Sequence, residues 1–201
     1  MASKRPYHHG NLRYVLLEAG LALIREVGPK GFTIREVARR AGVSHNAPYR
    51  HFHDKDELVA AIVTEGFERL TVAMKARADP GATGVDRLKL CGCAYVDFAL
   101  HWPGHFQAMF DLSPETGVQF KQGVASENAF QTLLGFIVES QSEGAFPAGD
   151  PYPLALMAWS LVHGIAKLAN SGQFPFTPEQ VLEFTRQAAD ALVRGMGMYQ
   201  V

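Results

Sequence analysis

The stretch from Thr33 to Lys55 limits the possible folds more than any other part of the chain. Thr33 and Glu36 have the spacing of a capping box, in which each side chain bonds the backbone N–H of the other residue at the start of a helix. Apolar residues then recur at helical spacing until Gly42, which suits the left-handed residue that ends a helix. Ser44 is a favourable cap for a second helix. The pattern predicts two short helices joined by a tight turn.

A third helix is predicted to follow at once. Asp54 and Glu57 repeat the capping-box spacing, and apolar residues predict a helix from Lys55 to about Ala76. Two helices joined by a short turn that contains glycine form the helix-turn-helix pattern. The second helix, predicted to start at His45, carries polar and basic groups that suit base edges and phosphates. A small helical hairpin with a solvated polar face is the alternative.

Pro48 conflicts with a regular helix at this place. It has no backbone N–H to donate, and it disfavours a helical conformation at the preceding Ala47. We therefore expect the second helix to start distorted.

Charge is distributed unevenly along the chain. Residues 1–53 hold nine Lys or Arg and three Asp or Glu, whereas residues 54–201 hold ten and seventeen, within a net charge of −1. The first part therefore carries +6 and the second −7. This asymmetry predicts a basic head that contacts phosphates and an acidic body that does not.

The whole chain is predicted to be all-α, because helical periodicity alternates with Pro- and Gly-containing breaks. A first helix is predicted over Asn11–Val27. Later helices are predicted over Gly84–His101, His105–Phe110, Glu115–Gly144, Leu154–Asn170 and from Thr177 to about Met198. The predicted domains are a head with an N-terminal arm (1–54), a linking helix (55–80) and a helical body (81–201).

The segment 84–144 is rich in aromatic residues and Met, which is compatible with an apolar ligand pocket between helices. Simple filling of the core is the alternative for each side chain. The candidate pocket residues are Tyr95, Phe98, Trp102, Phe106, Met109, Phe110 and Phe130.

Residues 7–62 resemble the DNA-binding domain of the tetracycline-repressor (TetR) family of bacterial regulators. The resemblance is carried by the run from Thr33 to Ser44, then Tyr49-Arg50-His51-Phe52, Lys55 and Leu58, with Tyr7–Leu12 upstream. It implies a homodimeric repressor that binds a pseudo-palindromic operator in double-stranded DNA and responds to a small-molecule effector. We expect that effector to be apolar or aromatic.

Matching positions in that family imply the residues that contact DNA. Phosphates would be held mainly by Thr33, Tyr49 and Lys55. Bases or the flanking backbone would lie near Arg35, His45, Asn46, Ala47, Arg50 and His51, with Ser44 in the same set. Two recognition helices would enter successive major grooves about 34–36 Å apart.

The last two helices have long apolar faces, and the resemblance implies that they pair with the same helices of a second subunit. The run Trp159-Ser160-Leu161-Val162-His163-Gly164 resembles a C-terminal motif of one branch of the family. The candidate dimer-interface residues are Trp159, His163, Gly164, Leu182 and Ala189. A core helix of a monomer is the alternative.

Catalytic and metal-binding patterns are not evident. Pro103 breaks the helical face that His101 and His105 would share, and Cys91-x-Cys93 lacks a second pair. We therefore expect no catalytic residue, no metal and no cofactor. We also expect a cytoplasmic protein outside the membrane, since no signal peptide and no membrane-length apolar run is visible. A ligand-binding protein or enzyme with a vestigial head, and an activator, are the other functions considered.

Overall fold

The computed structural model describes residues 12–77, 79, 81–111 and 124–198, with side chains omitted for 124–127. Within these ranges it holds eight α-helices, one 3₁₀ helix at Pro48–Arg50 and no strand, which confirms the all-α prediction. The helices are α1 (Leu12–Val27), α2 (Ile34–Arg40), α3 (Lys55–Ala76), α4 (Gly84–His101), α5 (Pro103–Phe110), α6 (Val124–Ser142), α7 (Tyr152–Asn170) and α8 (Pro178–Gly197). The predicted arm and the predicted helical residues 115–123 lie outside the described residues.

The head is built by α1, which packs against both α2 and α3. Its apolar face includes Leu16 and Ile24, both fully buried, and Gly28 ends the helix with a φ of +77°. Val27, the last residue of α1, is 54% exposed.

The capping box at the start of α2 is confirmed. The Thr33 N–H donates to Glu36 Oε2 at 2.7 Å, and the Glu36 N–H donates to Thr33 Oγ1 at 3.3 Å. Gly42 takes a φ of +69°, and the Val43 N–H returns to the Ala38 carbonyl at 3.0 Å. These bonds satisfy both ends of a helix of only seven residues.

The second predicted capping box is only half formed. The Glu57 N–H donates to Asp54 Oδ1 at 2.8 Å, as expected. The Glu57 carboxylate, however, accepts from the N–H of His53 at 2.5 Å rather than from that of Asp54. The carboxylate thus satisfies a donor one residue earlier, and the helix still starts at Lys55 as predicted.

The body is organised around α4, which packs against α3, α5, α6, α7 and α8. Three boundaries in the body differ from prediction by two residues: α5 begins at Pro103, α7 begins at Tyr152, and α6 ends at Ser142. The two early starts arise because a proline fits the first turn of a helix, where its missing N–H has no partner to lose. Thr177 and Gln180 form a capping box at the start of α8.

Gly84 marks a close approach between α4 and α6. A Cβ there would lie 2.7 Å from the backbone nitrogen of Ser140 and 2.9 Å from its hydroxyl oxygen. The Gly84 N–H also donates to Glu143 Oε2 at 2.8 Å. By contrast, a Cβ on Gly135 in α6 would meet nothing within 4 Å.

We therefore predict opposite effects for two alanine substitutions. Gly84→Ala must push α6 away and should lower the free energy of unfolding by about 1–3 kcal/mol. Gly135→Ala should raise it by about 0.5–1 kcal/mol, because it removes chain entropy from the unfolded state without a clash. Urea denaturation at one fixed protein concentration checks both. Equal destabilisation by the two variants would contradict the close approach.

Candidate functional site

The predicted second helix of the helix-turn-helix is not an α-helix. A turn over residues 44–47 leads into the 3₁₀ helix Pro48–Arg50. The Ala47 N–H donates to the Ser44 carbonyl at 2.9 Å, and the His51 N–H donates to the Pro48 carbonyl at 2.9 Å. The prediction of an α-helix from His45 is therefore wrong, whereas the expected distortion at its start is present.

The cause is the missing N–H of Pro48. An α-helix would need a bond from residue 48 to the Ser44 carbonyl, and Ala47 supplies a tighter one instead. Ala47 itself is helical, with φ −60° and ψ −42°, which contradicts the expected bias away from this region. Pro48 itself is fully buried.

Most predicted DNA-contacting side chains lie on the outside of the head. Arg35, Ser44, His45, Asn46, Arg50 and His51 are exposed, as is Tyr49 at 49%. Ala47 and Lys55 are half-buried, and the Lys55 ammonium lies 5.7 Å from the centre of the Phe32 ring. The Thr33 hydroxyl is engaged with Glu36, to which it donates at 2.9 Å.

The body encloses an apolar cavity of about 50 Å³ between α3, α4, α5, α6, α7 and α8. Three predicted pocket residues line it: Tyr95, Phe110 and Phe130. Residues that the sequence analysis missed include Phe67, Leu70 and Met74 of α3, Cys91 of α4, Ala158 and Val162 of α7, and Leu192 and Val193 of α8. Helical spacing of apolar residues indicates a face that packs, and no further signal in the sequence separated cavity wall from core.

Four predicted pocket residues lie elsewhere. Phe98 is buried one turn beyond the α4 residues that line the cavity. Met109 fills the space beside Gly66, where an added Cβ would lie 2.6 Å from its sulfur. Phe106 is buried one turn before Phe110, with ring centres 5.0 Å apart. Trp102 is 42% exposed at the end of α4, where the Arg69 guanidinium lies 4.4 Å from its ring centre.

Tyr95, His163 and Trp159 form a polar cluster at the cavity wall. The Tyr95 hydroxyl lies 2.9 Å from His163 Nδ1, and Trp159 Nε1–H donates to the same hydroxyl at 3.4 Å. Burial raises the pKa of Tyr95 and lowers the pKa of His163, which the charge of Lys167 lowers further. Both side chains are therefore neutral near pH 7.

The predicted dimer-interface residues occupy different places. Trp159 and Ala189 line the cavity, and His163 is bonded to Tyr95, so these three face the interior of the body. Leu182 is half-buried in α8. Gly164 has open space where a Cβ would lie. The spacing of the Trp and His in α7 therefore places a polar pair on an internal face.

Lys89 is the one charged residue among the described residues of the cavity wall. Its ammonium lies 3.0 Å from Asp86 Oδ1 and 3.3 Å from Asp190 Oδ1, so its charge is neutralised locally. Burial raises the pKa of the Cys91 thiol to about 12, which keeps it protonated. Apart from this paired ammonium, the described residues of the cavity wall therefore present neutral groups.

In the described part of the chain, no group of three His, Cys, Asp or Glu side chains is placed to hold a metal ion. None of the described helices is long and apolar enough to cross a membrane.

Two family models match the chain. Residues 16–62 match the bacterial regulatory proteins of the tetR family, and residues 88–192, just over half of the chain, match the tetracyclin repressor-like C-terminal domain. The chain belongs to the TetR family.

Individual relatives agree with this assignment. The HTH-type transcriptional repressor Rv3405c of Mycobacterium tuberculosis is 33% identical over 75 residues, which are 37% of this chain and 40% of that repressor. A protein of unknown function from Rhodococcus sp. RHA1, whose structure has been solved, is 34% identical. Its TM-score is 0.79, over 96% of this chain and 100% of that one. A tetR-family regulatory protein from Rhodococcus RHA1 shares the fold, with a TM-score of 0.76 at 21% identity over 92% and 96% of the two chains.

In this TetR-family chain, α5 joins the head to the body, because it packs against α1 and α3 as well as α4. A Cβ on its Gly104 would lie 3.1 Å from Arg25 Cγ in α1. Next to it, His105 is 2% exposed, and its Nε2 has no hydrogen-bond partner and lies 4.0 Å from Glu65 Oε1. Burial lowers the pKa of His105, although the Glu65 carboxylate opposes this shift.

The lowered pKa values of His105 and His163 predict that acid destabilises the folded state of this chain. His105 and His163 stay neutral when folded, whereas in the unfolded chain each binds a proton near pH 6.5. The free energy of unfolding should therefore fall as pH drops below about 6.5, by up to about 1 kcal/mol per histidine over the first pH unit. Thermal unfolding at fixed protein concentration between pH 7.5 and 5.5 measures this slope.

The variant His105→Gln should reduce the slope of stability against pH, because only His163 of the two histidines then remains. His45→Gln, a change at an exposed position of the head, is the matched control and should leave the slope as it is. An unchanged slope in His105→Gln would assign the acid sensitivity to other groups.

Proposed function

We propose that this chain is a homodimeric transcriptional repressor that binds operator DNA through its head and is released by a small apolar or aromatic effector bound in its body. The observation that carries this proposal is the continuity of α3. Its first residue, Lys55, follows the helix-turn-helix, and its later residues Phe67, Leu70 and Met74 line the cavity. One rigid element thus joins the two places.

On the DNA side, the exposed residues from Ser44 to His51 approach the major groove, with Arg50 and Asn46 as the base-reading side chains. Arginine and asparagine can each bond two atoms of a single base edge. Tyr49 and Lys55 hold phosphates and fix the position of the head. A turn and a 3₁₀ helix of three residues present these side chains, so the helical part is shorter than a full recognition helix.

On the effector side, occupancy of the cavity shifts α3 and α5. The cavity is narrow, so a bound molecule must separate the helices that form its wall. Phe67 of α3 and Phe110 of α5 meet edge to face, with ring centres 5.7 Å apart, so the two helices move together. The effector then favours a spacing of the two heads that does not fit the operator, which is a shift between two states.

Dimerisation uses the outer faces of α7 and α8. Leu156 and Leu168 of α7 and Phe184 of α8 are 38–39% exposed, and Gly164 leaves room for a close partner. Burial of such apolar surface is favourable at about 25 cal/mol per Å². We place the chain in the branch with the Trp159–Gly164 motif. In this motif Trp159 lines the cavity, His163 bonds Tyr95, and Gly164 lies at the proposed interface.

The proposed domain division keeps a DNA-binding head over residues 1–54, a linking helix over 55–80 and a ligand-binding and dimerisation body over 81–201. It is supported by the contacts of α3, which packs against α1 of the head and against α4, α5 and α6 of the body. Two of the relatives above are described as regulators, which favours regulation over an enzyme with a vestigial head.

Selection from a pool of randomised duplexes, followed by fluorescence anisotropy, tests DNA binding. We expect a pseudo-palindromic site that binds far more tightly than its scrambled sequence. Binding should weaken steeply as salt rises, because phosphate contacts release counterions. Failure to enrich any sequence, with weak and equal binding to both duplexes, would overturn the proposal.

Head variants separate the two kinds of contact. Lys55→Ala and Tyr49→Phe should weaken the selected and scrambled duplexes by the same factor, because phosphates carry no sequence information. Arg50→Ala and Asn46→Ala should each cost about 1–3 kcal/mol on the selected site and relax preference at particular positions. An equal loss on every duplex from Arg50→Ala would remove that residue from the base-reading set.

A further inference from the structure

Few polar side chains occur among the described residues of the cavity wall. Those residues are apolar except for Tyr95, the indole N–H of Trp159, the Cys91 thiol and Lys89, whose ammonium is already shared by Asp86 and Asp190. Tyr95 and Trp159 both line the cavity, and the indole N–H of Trp159 donates to the Tyr95 hydroxyl. Among the described groups, this hydroxyl is the one that we consider as a partner for a ligand with one polar group.

The hydrogen bonds of this hydroxyl fix what it can offer. The indole N–H of Trp159 can only donate, so the Tyr95 oxygen accepts from it. We assign the single proton of the neutral His163 imidazole to Nε2, so that Nδ1, 2.9 Å from the Tyr95 hydroxyl, accepts the Tyr95 proton. The oxygen keeps one further lone pair, which can accept a hydrogen bond from a ligand O–H or N–H group.

The described groups of the site favour a neutral partner over a charged one. Burial keeps Tyr95, His163 and the Cys91 thiol neutral, because it raises the pKa of the first and third and lowers that of the second. An anion would lose its hydration without gaining a free cation among the described residues of the wall, since Lys89 has two carboxylate partners. A neutral ligand carries no such cost.

We propose that the effector is a small uncharged aromatic molecule with one hydroxyl group, and that Tyr95, held by His163, accepts a hydrogen bond from that hydroxyl. The aromatic body of the molecule lies against Phe67, Phe110 and Phe130, which suit edge-to-face ring contacts. The narrow cavity favours a single ring. This inference rests on the proposed function only in taking the cavity as the effector site.

Four probes of similar size test the inference on the full chain by isothermal titration calorimetry. They are 4-methylphenol, p-xylene, 4-methylanisole and 4-methylbenzoate. 4-Methylphenol should bind about three- to tenfold more tightly than p-xylene, the range expected for one net hydrogen bond. 4-Methylanisole, which can only accept, should bind no better than p-xylene, and 4-methylbenzoate should bind most weakly.

The variant Tyr95→Phe should reduce the affinity for 4-methylphenol to that for p-xylene and leave p-xylene unchanged. Trp102→Phe is the control, because Trp102 is an aromatic residue outside the cavity and should preserve the preference. The comparison of the four probes on the unmodified chain needs no variant, so poor folding of Tyr95→Phe would not remove the test. Equal affinity for 4-methylphenol and p-xylene, tighter binding of 4-methylbenzoate, or no binding of any probe would each overturn the inference.

Anisotropy with the selected duplex, on the same protein, separates this inference from the proposed function. Sequence-specific DNA binding without preference for 4-methylphenol overturns the inference alone. A preference for 4-methylphenol without sequence-specific DNA binding overturns the repressor proposal alone. Displacement of the duplex by 4-methylphenol, but by neither p-xylene nor 4-methylbenzoate, supports both.

Discussion

The burial of α3 on two sides is the constraint on which the rest of the structure depends. Near its start, Leu58 and Ile62 are fully buried against α1, where a Cβ on Gly20 would already touch both. Two turns later, Phe67 and Leu70 face the body. A helix packed at both ends cannot tilt at one without disturbing the other, because close-packed interiors transmit small displacements. Head and body are therefore linked mechanically by ordinary packing.

Much of this arrangement could be predicted from local chemistry. The box of Thr33 with Glu36 and that of Thr177 with Gln180 involve only neighbouring residues, so the sequence determines them. The limits of α3 and α4 were predicted for the same reason. Prediction failed around Pro48. The missing N–H of Pro48 rules out the regular α-helix, yet Ala47 has helical dihedral angles, although a residue before proline usually avoids them.

The cavity could be predicted only in part, because periodicity identifies a buried face and not which part of that face borders empty space. Tyr95 and Phe98 lie on neighbouring turns of α4, and only Tyr95 reaches the cavity. The resemblance implied that Trp159 and His163 lie at a subunit interface. A resemblance identifies a motif but does not tell in which direction its side chains point. Their hydrogen bonds to Tyr95 depend on residues more than 60 positions apart, which no local pattern contains.

The size of the cavity bears on how a small ligand could act at a distance. A single-ring molecule that buries about 200 Å² of apolar surface gains about 5 kcal/mol at about 25 cal/mol per Å². Coupling between sites typically requires about 1–3 kcal/mol. Because the cavity of about 50 Å³ must widen to accept a ring, part of the gain is consumed in separating its walls. Phe67 and Phe110 belong to those walls, so this separation displaces α3 and α5, the two body-facing helices that also pack against α1 of the head.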